Sequence, residues 1–330
     1  MLKICSIGCG AMAVQGHGPS FAKYKNDYPD TRLCGCCDIN EERAKVFAEK
    51  FGFENYYTDY IKMLDTEKPD VVSLISPVHL TCEMSIEIMK RGYHVILEKP
   101  PGRNREELEL MSKTAKEYDV NVRTSFNRRY TPLVTELKKR LDESGEKIIN
   151  ITCQMYRWHR YEKDFSTTAI HSVDVVKYIV GSDYERVTFD YDFRPELGEN
   201  VKNIIMNAKF ESGAFAQITF VPTGGVVTER ITVNTHNNTY FLDLPVWGNM
   251  DMPGKLIQVN NGKNIETVTG DMLSDSIEMF EVCGFYDENR GFFEHVRNGC
   301  ETICDLETAL QSVEIEDCIR NSENTYRKGN

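Results

Sequence analysis

Two glycines and an alanine that follow the first predicted strand have the spacing of a loop that binds phosphate groups. Gly8, Gly10 and Ala13 come directly after residues 2–7, which predict a strand. Gly8 permits a tight turn, Gly10 lets the backbone approach a pyrophosphate, and Ala13 lets the following helix pack closely on the strand. The amides at that helix N-terminus attract the phosphates. The pattern predicts a dinucleotide site, with Ala11 and Met12 in its loop.

An acidic residue after the second predicted strand supports this prediction. Asp38 follows residues 32–37 and lies 25 positions beyond Ala13, whereas a spacing of about 20 is usual. We therefore expect a small insertion in the first helix or its loop, at residues 16–19. A carboxylate here accepts a hydrogen bond from a ribose 2′-hydroxyl and repels a 2′-phosphate, which favours NAD over NADP. Ile39 and Arg43 are further predicted cofactor contacts.

Composition and charge exclude several other classes of protein. The chain has 330 residues, of which 41% are hydrophobic and 27% charged, and its formal net charge is −12. The length predicts two domains, and the negative charge argues against a nucleic-acid partner. The sequence contains no run of 18 apolar residues, so it predicts no membrane-spanning helix. The first sixteen residues do not resemble a signal peptide. We expect a soluble, cytoplasmic protein.

The eleven cysteines favour a reduced interior over a metal or disulfide site. Their odd number argues against a closed disulfide framework. Cys34, Cys36 and Cys37 form either a metal or redox motif or part of a buried strand, where cysteine acts as a small hydrophobe. Cys300 and Cys304 are four residues apart, but no second ligand pair has zinc spacing. We expect a buried strand and no metal.

The first 126 residues alternate short apolar segments with helical patterns. This order is typical of a doubly wound parallel sheet, so we predict an α/β Rossmann-type domain at residues 1–127. The predicted strands are residues 2–7, 32–37, 71–76, 95–97 and 120–126.

Beyond residue 128, apolar and polar residues alternate with a period of two. This pattern predicts strands with one dry face and a mostly antiparallel, open sheet. We therefore predict a second, α+β domain at residues 128–330, with C-terminal helices that pack back on the first domain. Its predicted strands are residues 149–156, 187–193, 204–210, 214–221, 231–235 and 240–244. Its predicted helices include residues 132–142, 169–180, 288–297 and 306–327.

A Glu-Lys-Pro segment at residues 98–100 makes the chain resemble a known family. Together with the glycine loop, Ser-Pro at 76–77 and Asn-Arg-Arg at 127–129, it is similar to the Gfo/Idh/MocA oxidoreductases. The resemblance covers nearly the whole chain. It implies an NAD-binding domain, a substrate-binding domain, and hydride transfer at a hydroxyl carbon of a sugar, polyol or sugar derivative.

The resemblance also implies roles for particular residues. Lys99 would lie beside the nicotinamide and polarise the substrate oxygen. His171, which opens an H-x-x-D stretch ending at Asp174, would be the acid/base, as suits a side chain with an ordinary pKa of about 6.5. The remaining implied cofactor contacts are Ser76, Pro77, His79, Glu98, Lys99 and Asn127. Thr168 is a further predicted substrate contact. Two more candidates follow from residue type: Arg129 either binds a substrate hydroxyl or pairs with an acidic side chain, and Trp158 either lines the substrate pocket or is an ordinary residue at a strand end.

The chain departs from the family pattern at three positions. Thr167 replaces a frequent aspartate four residues before His171, so Asp174 or Thr168 would have to orient the histidine. Val78 and Thr81 replace an asparagine and a histidine of the family, which leaves His79 or the backbone for those cofactor contacts.

Two other functions are compatible with the same residues. One is a glycosidase or lyase that uses tightly held NAD for transient oxidation, and the other is a non-catalytic dinucleotide or ligand sensor that regulates a protein partner. The family resemblance further implies a homodimer or homotetramer that forms through the open face of the second-domain sheet.

Overall fold

A computed structural model describes residues 1–300, 303 and 305–329. The chain forms two compact units, and neither is continuous in sequence. The first comprises Met1–Asn127 and Phe285–Leu310, and the second comprises Arg128–Gly284 and Gln311–Asn330. Within the first unit, Phe293 of the later segment contacts Phe21 and Tyr24 of the earlier one.

The first unit contains a six-stranded parallel sheet with helices in the connections. Its strands are β1 (Leu2–Ile7), β2 (Thr31–Cys37), β3 (Asn55–Tyr57), β4 (Val71–Leu74), β5 (His94–Glu98) and β6 (Val122–Ser125). Its helices before residue 127 are α1 (Gly18–Asp27), α2 (Glu41–Phe51), α3 (Tyr60–Glu67), α4 (Val78–Lys90) and α5 (Arg105–Tyr118). The strand order is β3-β2-β1-β4-β5-β6. This is the order of a dinucleotide-binding sheet, and it confirms the predicted Rossmann-type domain.

Local sequence explains where these elements begin and end. The Asn40 side chain accepts a hydrogen bond from the Arg43 amide and caps α2, as its position before the helix predicts. Gly52 ends the same helix in the left-handed conformation. Ala13–His17 forms a π-helical turn directly before α1. A π-turn holds one extra residue, and this one overlaps the predicted insertion at residues 16–19.

The second unit contains a nine-stranded sheet in which all described pairs except β7–β10 are antiparallel. Its strands before residue 270 are β7 (Asn150–Tyr156), β8 (Tyr184–Phe193), β9 (Lys202–Phe210), β10 (Phe215–Val221), β11 (Thr228–Asn234), β12 (Asn238–Leu244), β13 (Lys255–Asn260) and β14 (Lys263–Thr269). Its helices in the same region are α6 (Pro132–Ser144) and α7 (Ser166–Val180), followed by the short α8 (Gly270–Ser274) and α9 (Met279–Val282).

The C-terminal segment is helical for less of its length than the sequence predicts. It contains α10 (Phe285–Arg297), α11 (Leu306–Asn321) and β15 (Thr325–Arg327). The predicted helix 306–327 is wrong at its end, because Ser322 has a positive φ of 56° and the chain then leaves the helix. Residues of β15 pair with β8 and form one edge of the nine-stranded sheet.

Burial alternates along the strands of the second unit. Ile204, Met206, Ile218 and Phe220 face the core and are fully buried, as the period-two pattern predicts. The intervening residues form an outer face. Among the described residues, none of the helices is long and apolar enough to cross a membrane.

A buried ion cluster lies within the second unit. Glu229 of β11 is fully buried and accepts two hydrogen bonds from Arg128, one from Nε at 3.1 Å and one from Nη2 at 2.7 Å. Arg157, at the end of β7, donates to the same carboxylate. Burial alone would raise the pKa of Glu229, but the charges and hydrogen bonds of the two arginines lower it to about 2.

Replacing Glu229 by Gln should destabilise the protein, because it removes the negative charge that binds two buried guanidinium groups. Breaking a buried pair in this way costs about 3–5 kcal/mol. The folded pKa of Glu229 lies below its unfolded value, so its stabilisation is complete above about pH 4.5 and is lost as the pH falls towards 2. Urea unfolding at pH 7 and pH 3 should show a larger difference between wild type and E229Q at pH 7.

The matched control is Glu199→Gln, which breaks the exposed pair of Glu199 with Lys163. Exposed pairs contribute about 0–1 kcal/mol, so this variant should unfold nearly as wild type does. Equal losses in the two variants would contradict the assigned strength of the buried cluster.

Candidate functional site

The carboxyl ends of five parallel strands bring the predicted cofactor residues to one edge of the six-stranded sheet. Gly8 follows β1, Asp38 follows β2, and Ser76 lies two residues beyond β4. Glu98 ends β5, and Asn127 lies two residues beyond β6. Because all these strands run in the same direction, residues that are far apart in sequence share this edge.

Gly8 makes the closest backbone approach at this edge. Its φ is +94°, and a Cβ atom at this position would lie 2.1 Å from the carbonyl oxygen of Ile75. Its amide donates to the carbonyl oxygen of Cys37 at 2.8 Å. Only glycine adopts this φ and fits this space. The packing of β1 between β2 and β4 therefore requires a glycine at this turn, as the motif predicts.

The space in front of Gly10 is open. A Cβ atom at Gly10 would meet no neighbour within 4 Å, so a ligand can approach the backbone there. Ala11 is exposed and Met12 is half-buried, and within the described residues no side chain caps the helix at Met12. Ala13 is fully buried, as close helix–strand packing requires. The loop therefore fits the phosphates of a dinucleotide.

Asp38 is held by the backbone on both of its carboxylate oxygens. Oδ2 accepts from the amide of Cys9 and Oδ1 accepts from the amide of Asn40, each at 2.9 Å. The side chain thus joins the glycine loop to the end of β2 and remains partly exposed. A carboxylate oxygen has further lone pairs, so a ribose hydroxyl can still donate to it. Ile39 is 94% exposed and the Arg43 side chain is also exposed.

The segment after β4 is more exposed than that after β1. Ser76 is half-buried and its hydroxyl lies 3.0 Å from that of the buried Thr81, which replaces the histidine of the family pattern. Pro77 precedes the first turn of α4, and His79 is exposed on that turn. His79 is therefore accessible for the contact that the sequence assigns to it.

Glu98 bridges two groups at the end of β5. Its Oε2 accepts from the backbone amide of Lys99 at 2.9 Å, and its Oε1 lies 3.0 Å from Nε2 of His17. Burial opposes ionisation of Glu98, but the hydrogen bond from His17 and the charge of Lys99 keep its pKa below the ordinary value. The Lys99 side chain is partly buried, whereas Asn127 is buried.

Sequence reasoning assigned no role to His17. It is 1% exposed and lies in the π-helical turn. The one sequence signal near His17 was the long spacing between Ala13 and Asp38. It predicts an insertion there but does not indicate that His17 is a buried partner of Glu98.

In the second unit, the predicted acid/base His171 lies on α7 and is 8% exposed. Its Nε2 is 3.3 Å from Nη1 of Arg128, the arginine that also binds Glu229. A guanidinium has only donors, so Nε2 is the acceptor in this contact and the ring proton is on Nδ1. Arg128 therefore fixes one tautomer of His171.

The residues proposed to orient His171 have other partners. Arg129 donates to Asp174 from Nε at 2.8 Å and from Nη2 at 2.5 Å, and the Ser312 hydroxyl donates to the same carboxylate. Thr168 accepts from Arg160 at 2.9 Å. Arg129, predicted as a substrate contact, is thus bound to Asp174, and the group that meets His171 Nε2 is Arg128.

Trp158, the other predicted substrate contact, is 59% exposed. Its ring lies 4.2 Å from the ring of His159, between centroids. Both follow the end of β7, as the sequence predicts for a residue at the margin of the sheet.

The cysteine-rich segment is a buried strand. Cys34, Cys36 and Cys37 lie in β2, and burial raises the pKa of Cys37 to about 12. Cys300 is exposed, and Cys304 lies outside the described residues. Among the described residues, no group of three or more histidine, cysteine and acidic side chains could hold a metal ion.

Two family models match the chain. Residues 2–126 match the "Oxidoreductase family, NAD-binding Rossmann fold", and residues 154–328 match the "Oxidoreductase family, C-terminal alpha/beta domain".

Curated relatives match over shorter stretches. Levoglucosan dehydrogenase of Pseudarthrobacter phenanthrenivorans is 30% identical over 161 residues, which cover 44% of this chain and 41% of that protein. The scyllo-inositol 2-dehydrogenase (NADP(+)) of Bacillus subtilis is 31% identical over 125 residues, 38% of each chain. The matched stretches thus span about half or less of the length of these relatives.

A solved structure agrees over the whole chain. Levoglucosan dehydrogenase in complex with NADH and levoglucosan has a TM-score of 0.83 and 19% sequence identity, and the match covers 100% of both chains. At this identity the likeness concerns the fold. Because the two family models together match most of the chain, the protein belongs to the Gfo/Idh/MocA family of oxidoreductases.

Proposed function

We propose that this protein is an NAD-dependent dehydrogenase that transfers a hydride between the nicotinamide and a hydroxyl carbon of a sugar, polyol or sugar derivative. The observation that carries the proposal is the shared sheet edge. The open glycine loop, the Asp38 carboxylate and the Glu98–Lys99 pair all lie at the carboxyl ends of parallel strands of one sheet. The names of the two curated relatives, which act on levoglucosan and scyllo-inositol, support a polyhydroxylated substrate.

The loop residues would hold the dinucleotide through backbone groups. Gly10 and the start of the first helix would receive the phosphates, and Asp38 would accept from a ribose hydroxyl. When bound, the dinucleotide supplies the hydride acceptor or donor. We propose NAD as the preferred form, since the Asp38 carboxylate would repel the 2′-phosphate of NADP.

Lys99 and His171 are the proposed catalytic residues. Oxidation of an alcohol requires loss of the hydroxyl proton, and a neutral imidazole is suited to accept it. The positive charge of Lys99 would stabilise the alkoxide that develops on the substrate oxygen. To accept the proton, His171 Nε2 would exchange its 3.3 Å contact with Arg128 for the substrate hydroxyl. The Arg128 cation disfavours a second positive charge on the ring, so it favours return of the proton from His171 over its uptake.

Replacing Asp38 by Ala should weaken NADH binding and reduce the preference over NADPH. A hydrogen bond to a charged group contributes about 1.5–3 kcal/mol, so NADH affinity should fall about 10- to 150-fold. Nicotinamide fluorescence titrations with both dinucleotides measure this change.

The matched variant Asp38→Asn keeps an acceptor for the Cys9 amide but removes the charge. It should bind NADPH more tightly than wild type while the loop stays intact. Unchanged selectivity in both variants would exclude Asp38 as the discriminating residue. If wild type bound neither dinucleotide after bound cofactor had been removed, the proposed function would be wrong.

Replacing Lys99 by Ala should abolish most turnover but preserve cofactor binding, because the charge acts on the reacting oxygen. General acid–base groups contribute about 10²–10⁴-fold, and we expect a loss in kcat of that order for both K99A and H171N. The assay is NADH formation from the best substrate of a sugar and polyol screen, with NADH affinity measured in parallel.

The control is Lys90→Met, which removes an exposed lysine at the end of α4. It should leave turnover and cofactor affinity unchanged. Substantial activity in K99A would refute the assignment of Lys99. Product formation without stoichiometric NADH would indicate transient oxidation instead of net dehydrogenation.

We also propose that a second copy of the chain covers the outer face of the nine-stranded sheet. Ile205, Phe215 and Phe241 point outwards from β9, β10 and β12 and are 42–52% exposed. Covering such side chains stabilises association. Light scattering should report a dimer or tetramer for wild type and a smaller species for Phe215→Glu. The control Leu110→Glu, at an exposed site of α5, should keep the wild-type mass, and a monomeric wild type would refute this proposal.

A further inference from the structure

His17 is enclosed by aromatic rings and polar groups of the first unit. Its ring is 5.4 Å from that of Phe285 and 6.0 Å from that of Phe21, between centroids. A buried imidazole loses its hydration, so its nitrogens need protein partners. The π-helical turn supplies the necessary position, since it places His17 on the side of the helix that faces Glu98.

Both ring nitrogens of His17 have partners. Nε2 lies 3.0 Å from Glu98 Oε1, and Nδ1 lies 3.2 Å from the amide nitrogen and 3.4 Å from the amide oxygen of Asn289. An ionised carboxylate only accepts, so Nε2 carries a proton. The Asn289 amide nitrogen also donates to the carbonyl oxygen of Phe285 at 2.7 Å, which leaves its second hydrogen for Nδ1. This arrangement fixes the orientation of the imidazole.

The Glu98 carboxylate therefore receives one hydrogen bond from His17 and one from the chain at Lys99. Its side chain is only 9% exposed, so few other donors can reach it. A second carboxyl group, Glu288 of α10, is fully buried nearby and accepts from the Ser125 hydroxyl. Burial raises the pKa of Glu288 well above its ordinary value, and the charge of Glu98 adds to this effect. Of the two carboxyls, Glu98 is therefore the one whose ionised form the surroundings favour.

Other charged groups act on these two carboxyls from neighbouring elements. They are Lys99 beside Glu98, Arg123 of β6, and Asp305 before α11. Of these, Lys99 is adjacent to Glu98 in the chain. Its backbone amide donates to one oxygen of the Glu98 carboxylate, and His17 contacts the other. The contact of His17 with Glu98 therefore bears directly on the environment of Lys99.

We propose that His17 is a positioning residue for Lys99, because it holds the Glu98 carboxylate against the Lys99 amide and so fixes a negative charge beside the lysine. The inference rests on the proposed function, in which Lys99 acts as a cation. Without His17, the buried carboxylate would take up a proton or rotate towards another donor. In either case the negative charge that Glu98 contributes to the surroundings of Lys99 would be lost or displaced, and the Lys99 amine would become more reactive.

The reactivity of the Lys99 amine tests this inference without any need for turnover. The probe is competitive acetylation by trace acetic anhydride from pH 6 to pH 10, with the modified lysines identified by peptide mass spectrometry. A shift of one pKa unit changes the labelling rate below the pKa about tenfold. We expect Lys99 of His17→Leu to be labelled roughly three- to tenfold faster at pH 7 than Lys99 of wild type.

Two further variants determine whether the effect passes through Glu98. His17→Gln keeps an amide N–H at about the position of Nε2 and should restore wild-type labelling. Glu98→Gln should label fast by itself, and adding His17→Leu to it should have little further effect. His94→Gln, at the other end of β5, is the matched control and should label as wild type does.

The inference would be overturned if folded His17→Leu labelled Lys99 at the wild-type rate. It would also be overturned if His17→Leu accelerated labelling equally in wild type and in Glu98→Gln. If His17→Leu does not fold, His17→Asn replaces it, since its shorter amide keeps the Asn289 side but cannot reach Glu98. Failure of the proposed function gives a different result, namely wild type that binds neither dinucleotide, whatever the labelling shows.

Discussion

The steric constraint at Gly8 is the condition on which the rest of the candidate site depends. Its Cα lies so close to the Ile75 carbonyl oxygen that no side chain fits between them. This approach lets β1 end between β2 and β4 and turn directly into a helix. The same turn positions three further features of the site. They are the start of that helix, the Asp38 carboxylate bound to the Cys9 amide, and the π-turn that carries His17. A larger residue at position 8 would displace all three.

Glu98 in the first unit and Glu229 in the second are both shielded from water, and the two carboxylates are stabilised differently. Glu229 lies between two guanidinium groups, so full charges compensate its loss of hydration. Glu98 is held by an imidazole and a backbone amide, which compensate it mainly through hydrogen bonds. The first arrangement suits a permanent structural role, because arginine does not lose its proton. The second leaves the charge at Glu98 dependent on one histidine, and therefore sensitive to a single substitution.

Sequence patterns predicted those parts of the fold that depend on neighbouring residues. The alternation of strands and helices, the cap at Asn40 and the glycine loop are local features, and the structure confirms them. The parallel order of strands then implied that Asp38 and Lys99 share an edge. Three-residue strands such as β3 and β15 were missed, since so short a segment has no period and forms only where a longer strand offers an edge.

The partners of the buried charges could not be predicted, because they lie far apart in sequence. Asn289 meets His17 across 272 residues, and Glu229 meets Arg128 across 101. The sequence therefore indicated which side chains could do chemistry but not which charges surround them. That difference matters most for Lys99, since a neighbouring negative charge further favours the protonated form of an amine. The motif supplies the lysine and its adjacent glutamate, whereas the fold supplies the histidine that keeps the glutamate in place.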